Sequence, residues 1–139
     1  MPELTVAAFV VLLCLSMQAS DRTLRDIPAK PTPVAVLCNG DDGLTARLCD
    51  AVKQVFNRSP DLTQDIARRP RVLRVVIPTN VDWKKVDGRV KVFYRIELSL
   101  SDKLNLGVSD GSCWDNRLND CAQQILVETR SAVARMPPE

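Results

Sequence analysis

Between Arg68 and Arg95 the chain carries nine basic residues: Arg68, Arg69, Arg71, Arg74, Lys84, Lys85, Arg89, Lys91 and Arg95. Only Asp82 and Asp87 oppose them, so the segment is +7 in a chain whose formal net charge is +2. Arg74, Lys84, Lys91 and Arg95 fall on one side of a strand-like alternation, with Phe93 among them. Clustered cations attract phosphate, sulfate or carboxylate, and an interleaved apolar group adds contact area. These five residues are the candidate partner-binding set. Outward Lys and Arg also discourage sheet edges from pairing, so the same pattern serves solubility.

Little else in the sequence can do chemistry. Histidine is absent, which excludes Ser-His-Asp and Cys-His catalysis, imidazole zinc sites and histidine pH switching. There is no Gly-x-Ser-x-Gly elbow, Ser-x-x-Lys motif, phosphate-binding loop or dinucleotide fingerprint. The sequence therefore assigns no catalytic residue, no metal site and no cofactor. Asn39, Asp41, Asp42 and Asp50 are oxygen ligands in one short segment, but the calcium-loop glycine and glutamate are missing, and a capped turn explains them. Glu97 is the one acid on the outer side of its strand. A hydrolase reading would make it a general acid with an aspartate of the 41–42 turn, as glycan cleavage requires two carboxylates.

Four cysteines, Cys38, Cys49, Cys113 and Cys121, frame two helix starts. In each pair one cysteine precedes the helix and the other lies one or two turns inside it. A loop folding back on its helix brings such a pair within disulfide range, so Cys38–Cys49 and Cys113–Cys121 are the expected bridges. Neither gap is Cys-x-x-Cys, which argues against a redox or zinc site.

The elements that position these residues read as follows. Val34 to Cys38 is a short apolar strand. After the Asn39–Gly43 turn, Leu44, Leu48, Ala51, Val52, Val55 and Phe56 share one helical face, with Asp41 or Asp42 as cap. Residues 61–70 form a polar connection with room for one more helical turn. Val90 to Leu100 alternates without a break, and Leu73, Val75, Ile77, Val81 and Trp83 form a matching set upstream. Asp87-Gly88 between them is a hairpin turn. The register it fixes opposes Trp83 to Val92, Val81 to Tyr94, Ile77 to Leu98 and Val75 to Leu100, with Lys84 across from Lys91. Pro78 marks an edge or bulge. A Ser-, Asp- and Gly-rich loop follows Asp102. The last helix starts near Asp115, with Leu118, Cys121, Ala122, Ile125, Leu126, Thr129, Ala132 and Val133 on one face. Trp83 is expected in the core and Trp114 over the second disulfide. The β-α-β-β-α order predicts a two-layer α+β domain over 34–139, a small sheet with both helices on one face.

Ahead of this domain, Leu4 to Ser20 is uncharged and its centre is continuously apolar, which reads as a secretory signal over 1–20. The run is short for a membrane span. Residues 21–33, with three prolines, read as a flexible linker. An even cysteine count after export fits an oxidising compartment, periplasmic or extracellular. Together these features predict an exported binding or accessory protein of the cell envelope or extracellular space. Its expected partner is an anionic envelope polymer or an acidic protein; nothing in the sequence matches a nucleic-acid motif. An envelope assembly protein with a protein partner is a further reading. The open sheet face also allows a homodimer through Val72, Val76 and Phe93.

Overall fold

The computed structural model describes residues 30–65, 71–101 and 103–138. The segment read as a signal, most of the linker, and Arg68 and Arg69 lie outside the described residues. Strand β1 (Thr32–Cys38) leads into helix α1 (Gly43–Asn57), followed by strands β2 (Leu62–Gln64), β3 (Leu73–Ile77), β4 (Asp82–Val86), β5 (Arg89–Leu100) and β6 (Leu104–Trp114). A single 3-10 turn, Asp115–Arg117, then opens helix α2 (Leu118–Ala134). The strands form one mixed sheet. β1 lies between β2 and β3 and runs parallel to both. β5 takes β3 and β4 along one edge and β6 along the other, all antiparallel. The two-layer α+β arrangement is as expected, with two strands, β2 and β6, beyond the expected order.

Alternation sorts each strand into an inner and an outer side. Val34, Leu73, Val75, Ile77, Val92, Ile96 and Leu98 point inward and pack against Leu48, Val52, Val55 and Phe56 of α1 and Ile125 and Leu126 of α2. Both helices present the faces their spacing predicts. At the start of α1 the Asp42 carboxylate accepts from the Thr45 N–H at 2.7 Å, the capping role expected of the acidic turn. Hydrogen bonding from the Thr45 side chain, reinforced by this backbone bond, holds the Asp42 carboxyl below its ordinary pKa. The bridges are Cys38–Cys49 and Cys113–Cys121, with Cα atoms 6.5 and 5.5 Å apart. Each ties a strand end to the helix that follows it.

Four expectations need correction. First, β1 begins at Thr32, so the folded unit takes in two residues read as linker. Second, residues 62–64 of the polar connection pair with β1 as a strand, while 66–70, where the helical turn has its remaining room, lie outside the described residues. Third, the register holds only near the turn. Trp83 faces Val92 and Lys84 faces Lys91, but Val75 faces Leu98 and Leu73 faces Leu100, a shift of two residues. The shift is absorbed at Pro78–Val81, where proline cannot donate to the ladder. Asn80 there accepts from the Asp41 N–H at 2.8 Å and donates to the Asp41 carboxylate at 2.9 Å. The Val81 N–H reaches the buried Thr45 hydroxyl at 3.0 Å. A two-residue shift preserves the alternation, so the inward residues stay inward. Fourth, the Ser-, Asp- and Gly-rich loop is the eleven-residue strand β6.

β6 escaped the hydrophobic pattern because its inward positions carry almost no side chain. Gly107, Ser109 and Gly111 oppose Leu98, Ile96 and Tyr94. The space over Gly111 is filled from across the strand by the Tyr94 ring. The Tyr94 hydroxyl donates to Gln124 Oε1 at 3.0 Å, and Gln124 Nε2 donates to the Ser112 carbonyl at 3.0 Å. Further along, Arg135 donates to the Leu106 carbonyl at 2.8 Å. Arg130 makes a two-pronged ion pair with Asp61, at 2.9 and 3.0 Å, which holds α2 to the approach to β2.

Tyr94 is the only tyrosine in the chain, which makes its environment directly measurable. Burial, reinforced by the negative charges of Glu128 and Asp110, pushes its phenol up to about 12. The folded state then holds the proton more tightly than the unfolded chain, whose phenol titrates near ~10. The stability this contributes is fully present below pH ~10 and is lost as pH rises from ~10 to ~12. Phenolate absorbance should titrate near 12 in the folded protein and near ~10 in denaturant. A folded midpoint near the denatured one would remove Tyr94 from the core.

Candidate anion-binding face

The helices cover one side of the sheet, and the other side is open. Its most charged part is built by the β4–β5 hairpin. Asp87 and Gly88 have φ of 51° and 75°, the paired positive values of a type I′ turn, whose twist matches that of the strands. This turn fixes Val86 opposite Arg89, and alternation then sends Arg89, Lys91, Phe93, Arg95 and Glu97 to the open side. β6 lies alongside and contributes Trp114 opposite Lys91, Ser112 opposite Phe93, Asp110 opposite Arg95 and Val108 opposite Glu97.

At the hairpin end these side chains form a row of cations on two aromatic rings. The Arg89 guanidinium lies 3.9 Å from the Trp114 ring centroid. The Lys91 ammonium stands 5.7 Å from Trp114 and 5.8 Å from Phe93. Lys84 stands 5.2 Å from Phe93. Directly opposed lysines repel by roughly 0.2–1 kcal/mol. Cation–π attraction of ~0.5–1 kcal/mol per exposed contact is enough to offset this. The rings thus hold like charges together that would otherwise spread apart, leaving N–H groups available to an incoming anion.

Three of the five residues singled out from the sequence, Lys84, Lys91 and Phe93, therefore meet. Arg95 is on the same face but is committed to Asp110, with Nε–Oδ1 at 2.8 Å and a second bond at 3.2 Å. The pairing holds the Asp110 carboxyl below its ordinary pKa and raises that of Arg95. Arg74 faces outward from β3 opposite Ser99. Ser99 is eight positions along β5 from Lys91, ~27 Å at strand rise, so Arg74 does not join the cluster.

Two residues of the cluster were missed by the sequence reading. Arg89 has the same parity as Lys91 and Phe93, and that signal was there to be used. Trp114 was expected over the Cys113–Cys121 bridge. Because strand neighbours point to opposite faces, Cys113 turns inward to its disulfide and Trp114 turns outward to Arg89. Trp83 also departs from expectation. It sits on the inner side but beyond the reach of the helices, and is 58% exposed.

Farther along the open face, where the β5–β6 turn folds over, lies a cavity of about 470 Å³. Val76, Leu104 and Val108 contribute apolar walls, and Glu97, Ser99, Ser101, Lys103 and Asn105 the polar lining. Glu97 faces away from the helices, whereas Asp42 caps α1 and Asp41 bonds to Asn80 at the other side of the sheet. Glu97 and the aspartates of the 41–42 turn are therefore not brought together as the glycan-cleaving reading requires. Of the three residues proposed for a dimer contact, Val76 and Phe93 face outward, but Val72 is only 4% exposed and offers no contact area.

No family model matches the chain, and no curated protein matches it in sequence. Among solved structures the fold is similar to that of a DUF330 protein from Xanthomonas campestris. The TM-score is 0.51 at 8% identity, covering 78% of this chain and 91% of that one. Weaker likenesses are a PelC dodecamer from Paraburkholderia phytofirmans (TM-score 0.44, 16% identity, 75% and 89% covered) and a minor lipoprotein from Acinetobacter baumannii (TM-score 0.41, 13% identity, 74% and 95% covered). At such low identity the first likeness speaks for the fold and not for a ligand.

Proposed function

We propose that this chain is a small exported binding or accessory protein of the cell envelope or extracellular space, holding an anionic partner on the hairpin end of its open sheet face. One observation carries the reading: Arg89, Lys91 and Lys84 stand in a row over Trp114 and Phe93. A planar guanidinium and two ammonium groups on an apolar base suit carboxylate, sulfate or phosphate. Two disulfides in a chain of this size suit an oxidising compartment, and the uncharged segment over 4–20 suits export by a cleaved signal. Among the described residues no helix is long and apolar enough to cross a membrane.

The test is retention of the exported, oxidised protein on an anionic polymer column across a salt gradient, beside Lys84→Glu/Lys91→Glu. The wild type should be retained at low salt and released as screening rises. The double lysine variant should bind at least ~10-fold more weakly, because the new carboxylates repel the ligand. Equal, weak retention of the wild type and the lysine variant would sink the reading and leave the charges as solubility devices.

A further inference from the structure

The open face carries two different surfaces on one strand. The aromatic–cation row ends at Phe93, and the cavity begins at Glu97 and Ser99. The six positions from Phe93 to Ser99 span ~20 Å at strand rise. Between them Arg95 is neutralised by Asp110, so no continuous run of cations joins the two. The cavity itself is lined by one carboxylate (Glu97), one ammonium (Lys103), two hydroxyls and an amide between apolar walls, so its lining carries no net charge. Those groups hydrogen-bond hydroxyls, and a lining of no net charge suits a neutral unit, in contrast to the cation row. A ligand that satisfies both surfaces must therefore be extended, charged at one point and neutral and hydroxyl-bearing at another.

We infer that the ligand is an anionic polysaccharide whose charged units are interspersed with neutral ones, lying along β5 with a charged unit on Arg89, Lys91 and Lys84 and a neutral unit in the cavity over Glu97, Ser99 and Asn105. This rests on the anion-binding reading and adds the polymer class and its direction. Charge complementarity selects it over a uniformly anionic chain. An acidic polypeptide would satisfy the cations but bring no hydroxyls for the cavity.

The probes are long hyaluronan, which alternates charged and neutral sugars, its disaccharide unit, and poly-glutamate. Binding is measured by calorimetry on the oxidised protein at low salt. Simultaneous use of two sites should make the long chain bind at least ~10-fold more tightly than the disaccharide. Val108→Trp fills the cavity from an exposed strand position that tolerates an aromatic residue. It should reduce long-chain affinity by about fivefold or more, with disaccharide binding at the cation row unchanged. Glu97→Ala should do the same, and an unaltered Tyr94 titration shows that either variant is folded. If both folded variants bind the long chain as the wild type does, the two-site ligand is wrong. If poly-glutamate binds as tightly as hyaluronan, the partner is an acidic polypeptide. Should Lys84→Glu/Lys91→Glu leave all three probes unaffected, it is the anion-binding reading itself that fails.

Discussion

Gly111→Ala should destabilise the protein by about 3 kcal/mol, combining overpacking of ~1–3 kcal/mol with loss of a hydrogen bond worth ~1 kcal/mol. The added methyl would overlap the Tyr94 ring and hydroxyl and come within 2.7 Å of Gln124 Oε1. The Tyr94 ring is the obstacle, because it is buried and its hydroxyl is bonded to Gln124, which in turn holds Ser112. The backbone is not the cause, since Gly111 is not among the residues with positive φ. This gives a change of sign. In a Tyr94→Ala background the space is empty, and alanine at 111 should then stabilise by ~0.4–1 kcal/mol through the unfolded chain. Urea unfolding of the four proteins in a double-mutant cycle measures both effects. A Gly111→Ala cost that persists unchanged without the Tyr94 ring would mean the glycine is needed for another reason.

Removing both disulfides should have the larger effect. Loop-closure entropy assigns ~2.8 kcal/mol to Cys38–Cys49 and ~2.5 kcal/mol to Cys113–Cys121, for sequence separations of 11 and 8. The total of ~5 kcal/mol is comparable to the whole stability of a domain this size, ~5–15 kcal/mol. Cys38→Ala/Cys49→Ala and Cys113→Ala/Cys121→Ala should each lower the urea midpoint clearly, and the quadruple variant should be largely unfolded in buffer. The two pairs should add, because each ties a different helix to a different strand. A quadruple variant as stable as the wild type would show that the core alone suffices.

How much of this was legible beforehand depended on whether a residue declares itself by its own side chain. The helices did so: Leu48, Val52, Ile125 and Leu126 recur at helical spacing and all are buried. The hairpin did so through Asp87-Gly88, whose turn type fixes Lys84 opposite Lys91. Strand β6 did not, because its inward residues Gly107, Ser109 and Gly111 are small, Gly111 making way for the Tyr94 ring, and small residues leave no hydrophobic signal. β2 is three residues of parallel pairing, which no local turn announces. The candidate site was half legible for the same reason. Lys84, Lys91 and Phe93 lie on the hairpin, whereas Trp114 reaches them only through β6. The misplacement of Trp83 has a different origin. Alternation assigns a residue to a side of the sheet, but only the extent of the covering helices decides whether that side is dry.

The donors that α2 lends to β6 bear on how this sheet can grow. Among the described residues β6 pairs with β5 alone, so its far edge is a template on which another chain could add a strand. The two-residue turn makes Arg89 and Lys91 bond toward β4, so Val92, Tyr94 and Ile96 bond toward β6 and the backbone groups of Ser112 point away from β5. The Ser112 carbonyl already holds Gln124, and the Leu106 carbonyl holds Arg135. A newcomer would have to evict both side chains, and the stretch left between them, Val108 to Asp110, is too short to set a register. Lateral polymerisation along the hydrogen-bonding direction is thereby obstructed at both ends of the longest free edge. The helix layer thus acts as a stopper on this edge of the sheet.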